Sequence, residues 1–223
     1  MENYLDEEYI NVIGVIPGQG HFMGMEEQVI IVSAYYDGLG VDPIGRLYPG
    51  ANDNASGVAM MLELARLLKE SSYQPDKTVL FVAWAGGERQ EGLSVVNVLN
   101  ARPGASQLTV ETVIELSGVG YGTGRTMAIG DDSSFRLVKL FQAAAARYNL
   151  ATTTRGRNPH YGLPLPTAFG GRDATTLSLS WDGSDHLAHT PADSIALIDP
   201  AKLYDIGRAT FLTLLVLSRE MEY

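Results

Sequence analysis

Pro49-Gly50-Ala51-Asn52-Asp53-Asn54-Ala55-Ser56-Gly57 is a Gly/Asn turn that presents one carboxylate, Asp53, and opens directly into a long amphipathic helix. Ahead of it lies an apolar strand, Val29 to Ala34. Behind it Val58, Met61, Leu62, Ala65 and Leu68 recur at i, i+3, i+4, i+7 and i+10, the spacing of one helical face. A lone acid at the carboxyl end of a buried strand is costly unless something pairs with it. In open α/β sheets that end of the strands is where ligands bind. Taken alone, Asn-Asp-Asn also fits an Asx-type turn capping a helix. What the rest of the chain brings to Asp53 decides between the two.

Working outward, Tyr9 to Ile16 is rich in β-branched residues and stops at Pro17-Gly18, which predicts a strand and a turn. Gln28 to Tyr35 is a second strand, apolar on both faces, as suits the middle of a sheet. Gly38 to Gly50 reads as a loop. The helix should run from about Asn54 to Ser71, with Glu63 near Arg66 and Arg66 near Glu70 on its wet face. Thr78 to Ala85 is a third strand, ending in Gly86-Gly87-Glu88. Leu93 to Leu99 leans to helix, and Leu108 to Leu116 is a fourth strand. It runs into Gly118, Gly120, Gly122 and Gly124, but Thr126 to Ile129 reads as another strand. With no helix following, a glycine loop is favoured over a dinucleotide fingerprint. Asp132 and Ser133 can cap a helix carrying Leu137, Leu140, Phe141, Ala144 and Tyr148. Asn149 to Arg172 has no clear periodicity. Thr175 to Trp181 looks like a last central strand, and Asp199-Pro200 starts a C-terminal helix through roughly Arg219. Strands alternating with helices predict an α/β three-layer sandwich, its mixed, mostly parallel central sheet flanked by helices on both faces.

Composition narrows the function. The 223 residues are 45% hydrophobic and 19% charged, an ordinary globular balance sufficient for one large domain. The formal net charge of -10 argues against nucleic acid or an anionic membrane as the main partner. The absence of cysteine excludes disulfides, thiolate metal sites and cysteine nucleophiles. Any metal must therefore be held by Asp, Glu or the histidines His21, His160, His186 and His189. The most apolar late run, Phe211 to Leu217, falls far short of the ~20 residues a membrane span needs. Met1-Glu2-Asn3 leads into a strand-like run by Tyr9. That start predicts one domain over residues 1–223, excised from a longer protein.

Polar residues out of keeping with their surroundings gather at Tyr35-Tyr36-Asp37, at Asp53, at Glu88 and along Asp185 to Asp193. Asp, Glu and His around one cation with a water make a plausible hydrolytic zinc site. A His near an Asp is more often a hydrogen-bonded surface pair, so spacing alone does not establish one. At these residues the chain resembles the co-catalytic zinc aminopeptidases, a superfamily that includes glutamate carboxypeptidase, glutaminyl cyclase, transferrin receptor and nicastrin. The resemblance rests on Asn11 to Gly18, Ser33 to Gly38, Pro49 to Gly57 with its helix, Thr78 to Glu88, and His189-Thr-Pro-Ala-Asp193. It implies an extracytoplasmic or membrane-attached parent, and a cis Asp53-Asn54 peptide.

The resemblance also implies a ligand set, and the departures from it follow a pattern. Two zinc ions bridged by an aspartate would place Asp53 on the bridge. The first zinc's histidine position holds Tyr35 and its later aspartate position holds Ser117, so both private ligands are gone. Anchored on the strand Thr78–Ala85, the second zinc's glutamate falls on Glu88 and its histidine on His189, so both survive. The expectation is a single-zinc site of Asp53, Glu88 and His189, with Tyr35 and Ser117 filling the vacated half. The family's general base, the first Glu of a Glu-Glu pair, is Gly87 here. Glu91 is a candidate substitute base. Arg89 could instead bring a fixed positive charge that replaces the metal. Anchoring on Gly92-Leu93 would put Arg89 and Gln90 in place of the pair. The strand anchor is preferred, because a sheet fixes register while loops absorb insertions. Asp37 is expected to bond backbone or Tyr36 in the absence of an imidazole to orient. Asp193 is expected to shape the histidine loop. His186, His21 and His160 are expected on the surface, and the glycosylation-like Asn54-Ala55-Ser56 is taken as coincidence. Two functions compete. One is a domain with impaired or lost peptidase activity that binds a protein partner. The other is a one-zinc hydrolase acting on peptides or amino-acid-like molecules with Glu91 or another acid as base.

Overall fold

The computed structural model describes residues 10–20, 25–88, 109–156 and 174–220. The strands are β1 (Val12–Ile16), β2 (Gln28–Tyr35), β3 (Gly40–Val41), β4 (Leu47–Tyr48), β5 (Thr78–Trp84), β6 (Thr109–Leu116), β7 (Met127–Gly130), β8 (Thr152–Arg155) and β9 (Thr175–Trp181). Three helices are described: α1 (Ser56–Glu70), α2 (Phe135–Ala146) and α3 (Pro200–Leu217). Seven strands form one sheet in the order β1-β5-β2-β6-β9-β7-β8. The middle of that sheet, β5-β2-β6-β9, is parallel, with Tyr35 opposite Trp84 and Leu116 opposite Leu179. β1 runs antiparallel to β5, and β7 antiparallel to β9. The fold is α/β with a mixed, mostly parallel sheet.

The two-residue period of the strands sorts their side chains between two faces. Ile30, Val32, Ala34, Val79, Phe81, Ile114 and Leu116 point to one face. There they pack with Met61 and Leu64 of α1, Phe141 of α2, and Ile206 and Leu214 of α3. Val29, Ile31, Tyr35, Leu80, Val82, Trp84 and Val113 point to the other and are also buried. The three described helices therefore share one face. The Leu93–Leu99 helix expected from sequence lies outside the described residues.

Other boundaries shift for physical reasons. Strand β8 was not expected: Thr-Thr-Thr-Arg has no apolar alternation, yet it pairs in parallel with β7 at the sheet edge. The loop from Gly38 to Gly50 contains the short hairpin β3–β4, with Asp42 accepting from the backbone N–H groups of Ile44 and Arg46. Asp132 and Ser133 do not cap α2. Ser134 is its N-cap position, and the hydroxyls of Ser133 and Ser134 accept instead from the N–H groups of Ser178 and Thr176 on β9. Asp199 does cap α3, accepting from Ala201 N–H at 2.9 Å with Pro200 in the first turn. On α1, Arg66 bonds both Glu63 and Glu70.

Candidate metal centre

The parallel strands β2, β5 and β6 end side by side at Tyr35, Trp84 and Leu116, and the Asp53 turn sits on those ends. Two buried asparagines fasten it there. Asn54 donates to Leu116 O at 2.9 Å and accepts from Gly118 N–H at 3.1 Å. Asn52 donates to Ser184 O and accepts from Gly120 N–H. Ser56 Oγ accepts from Val119 N–H, so the glycine loop after β6 wraps the turn with three successive amides. Gly57 permits this approach: a Cβ there would run into Asn54 Oδ1 and Leu116 O. The Asp53-Asn54 peptide is cis. Asn54 is only 2% exposed and engaged at both ends, which leaves no room for a sugar. The sequence marks Asn52 and Asn54 as turn residues but not as the ties to the glycine loop; the signal for that role is two amides in a turn flanked by apolar elements.

Asp53, Glu88 and His189 come together. Each offers one ligand-type atom, and the three atoms lie within 4.8 Å of one another. His189 Nε2 is 2.7 Å from Glu88 Oε2 and 3.4 Å from Asp53 Oδ2. The side chains of Asp53 and Glu88 are 1% and 6% exposed, whereas His189 is 29% exposed and opens toward a small cleft. Leu39, Tyr48, Gly50, Thr190 and Asp193 complete its lining. His189 adopts a left-handed backbone (φ 58), a conformation uncommon outside glycine and one that clusters at functional sites.

Electrostatics set this cluster apart from an ordinary buried network. Asp53 Oδ2 and Glu88 Oε2 are buried and accept no hydrogen bond among the described residues. Burial pushes the Asp53 carboxyl up to about 7, opposed by the Tyr35 hydrogen bond and reinforced by Asp193 and Asp37. Burial likewise pushes Glu88 up to about 8, with Asp53, Asp37 and Asp193 adding to it. Two buried carboxylate oxygens that accept no hydrogen bond, facing one imidazole, suit a cation. The donor set of two carboxylate oxygens and an imidazole nitrogen suits zinc with an open fourth position.

The opposite side of Asp53 is different. Tyr35 donates its hydroxyl hydrogen to Asp53 Oδ1, and Ser117 donates to the Tyr35 hydroxyl at 3.4 Å. The Tyr35 ring rests edge-on against Trp84, with centroids 5.7 Å apart. Trp84 in turn donates to Glu115. At Gly87, a Cβ would lie 2.5 Å from both Cβ and Cγ of Tyr35. The tyrosine therefore occupies the space a side chain at position 87 would need.

Asp37 accepts from the N–H groups of Gly87 and Glu88, the backbone role expected of it. Asp193 accepts from those of Asn52 and Asp53, so it ties the histidine loop to the Asp53 turn. His186 is exposed on the short helical turn Ser184–Leu187 and does not join the cluster. Arg89, Glu91, His21 and His160 lie outside the described residues.

An α/β sheet carrying an Asp-Glu-His cluster on its parallel strand ends defines a class of metal-dependent hydrolase fold. The chain belongs to peptidase family M28, which it matches over residues 11–214. It is 28% identical over 204 residues to aminopeptidase YwaD of Bacillus subtilis, covering 80% of this chain and 39% of that protein. It is 33% identical over 116 residues to a probable zinc metalloprotease of Leptosphaeria maculans, covering 51% of this chain and 25% of that protein. Its fold superposes on the LapA aminopeptidase of Legionella pneumophila with a TM-score of 0.77 at 19% identity, covering 95% of this chain and 56% of that one. The chain thus spans well under half the length of these two curated relatives. Zinc is the metal that the family relationship and the donor set together indicate. No helix among the described residues is long and apolar enough to cross a membrane.

Proposed function

We propose that this is a one-metal M28 domain in which peptide hydrolysis is impaired or lost, and whose remaining role is to bind a peptide, an amino-acid-like molecule or a protein partner. The observation that carries it is the Tyr35 ring standing where a side chain at position 87 would have to stand. Asp53, Glu88 and His189 would hold the zinc. Bound there, zinc would polarise a carbonyl and acidify a water.

Among the described residues, little is supplied for the proton transfer that must accompany hydrolysis. Position 87 has no carboxylate and no room for one. Asp37 and Asp193 have both oxygens committed to backbone N–H groups. A missing general base removes a factor of about 10²–10⁴ in rate. On the vacated side, Asp53 Oδ1 is satisfied by the Tyr35 hydroxyl, itself supported by Ser117, rather than by a second ion. The small cleft beside His189, lined by Leu39 and Tyr48, opens onto the cluster.

Assays of aminoacyl and dipeptide substrates on the zinc-loaded chain test this reading. Hydrolysis at or near background is expected, with the same substrates still binding. Zinc-dependent turnover that Asp53→Asn abolishes would overturn it.

A further inference from the structure

We propose that Asp37 is the positioning residue for Glu88, holding the glutamate-bearing turn as Asp193 holds the aspartate-bearing one. The inference rests on the reading of Glu88 as a metal ligand. Asp37 follows β2 by two residues, just past the last rung, where Tyr36 N–H donates to Trp84 O at 3.0 Å. From there its Oδ1 accepts from Gly87 N–H at 2.9 Å and its Oδ2 from Glu88 N–H at 3.0 Å. Asp193 does the same across the site, with Oδ1 accepting from Asn52 N–H at 2.8 Å and Oδ2 from Asp53 N–H at 2.9 Å. In both places one carboxylate grips two consecutive amides, and the second belongs to the residue whose own carboxylate enters the cluster.

Glu88 needs such a grip more than Asp53 does. The Asp53 turn is fastened by the side chains of Asn52, Asn54 and Ser56 and runs straight into α1. Glu88 follows Gly86, whose φ of 85 lies in the left-handed region, and Gly87, which has no side chain. Two glycines in succession give the backbone wide conformational freedom. Each charge-assisted bond from Asp37 to this turn is stronger than a neutral one. Together they fix the peptide from which Glu88 reaches to within 2.7 Å of His189. Groups that orient ligands in this way commonly cost about 10–100-fold in metal affinity when removed.

The test is calorimetric zinc titration of the chelator-treated full chain, run as a double-mutant cycle with Asp37→Asn and Glu88→Gln. Asp42→Asn, on the surface hairpin, serves as control. Asp37→Asn is expected to weaken zinc binding by about 10–100-fold, and to have little further effect in the Glu88→Gln background. Unchanged affinity in Asp37→Asn, or an equal loss with Glu88 already replaced, would overturn the proposal. Absence of zinc binding by the unmutated chain would instead refute the metal site itself. Should Asp37→Asn not fold, hydrogen exchange on the unmutated, metal-free chain decides the matter. Protected Gly87 and Glu88 amides are expected, and exchange as fast as in an open loop would contradict the grip.

Discussion

On one side of Asp53, the Tyr35 hydroxyl meets the aspartate and Ser117 in turn donates to that hydroxyl. On the other, Glu88 and His189 bring a carboxylate and an imidazole to within a few ångströms of it. The first side is a neutral, hydrogen-bonded plug backed by Trp84. The second is a pair of buried carboxyls that burial holds toward the protonated form, with Asp37 and Asp193 adding to that push on both. A hydrogen-bonded plug is stable without any ion, whereas ionising buried carboxyls is costly until a cation arrives. The contrast teaches that one aspartate can face a hydrogen-bonded tyrosine on one side and a candidate metal-binding cluster on the other. At Gly87 a Cβ would lie 2.5 Å from Cβ and Cγ of Tyr35, so the plugged side also closes on that position.

Rebuilding the plug as a metal half breaks the contrast most strongly. Tyr35→His/Gly87→Glu/Ser117→Asp should gain a second zinc and raise aminoacyl hydrolysis by about 10²–10⁴-fold, the worth of a general base. Gly87→Glu alone should gain neither and should lower the melting temperature, because its Cβ meets the Tyr35 ring. The intact half is sharpened by adding its metal. Zinc at a hundredfold excess over its Kd should stabilise the chain by about 2.7 kcal/mol. Asp53→Asn should erase that gain in a thermal melt.

The pH dependence of the metal-free chain follows from the same half, with a gentler effect. Asp53 and Glu88 hold protons more tightly when folded, at about 7 and about 8. Their contribution to stability is therefore full below the ordinary carboxylate range near pH 4. It is lost as pH rises through 7 to 8. A decline in melting temperature is therefore expected as pH rises through this window, and it should vanish with zinc. The smallest effect belongs to the plug alone. Tyr35→Phe deletes the bond to Asp53 and should cost about 1 kcal/mol, leaving the zinc count unchanged in titration.

Much of this was legible in the residues. Gln28–Tyr35 and Thr175–Trp181 match their strands because apolar, β-branched runs bounded by turns have few alternatives. Anchoring on Thr78 to Ala85 put Glu88 beside His189, since the register of β5 against β2 leaves the strand end little freedom. What stayed hidden depended on contacts across the chain. Thr152–Arg155 becomes a strand only through β7, and Ser133 and Ser134 abandon the helix end because β9 offers them amides. The glycine at position 87 was visible, but what packs against it was not. Nothing in Gly86-Gly87 reveals that a tyrosine ring fifty-odd residues earlier lies against it. The paired grips of Asp37 and Asp193 are likewise tertiary, formed between segments far apart in sequence.

The most direct measurement is the number of zinc ions held per chain, by titration of chelator-treated protein with elemental analysis of the saturated product. One ion, lost on His189→Ala and retained in Tyr35→Phe, is the expected result. Two ions, or none, would contradict the division of the site into a plugged half and a metal-binding half.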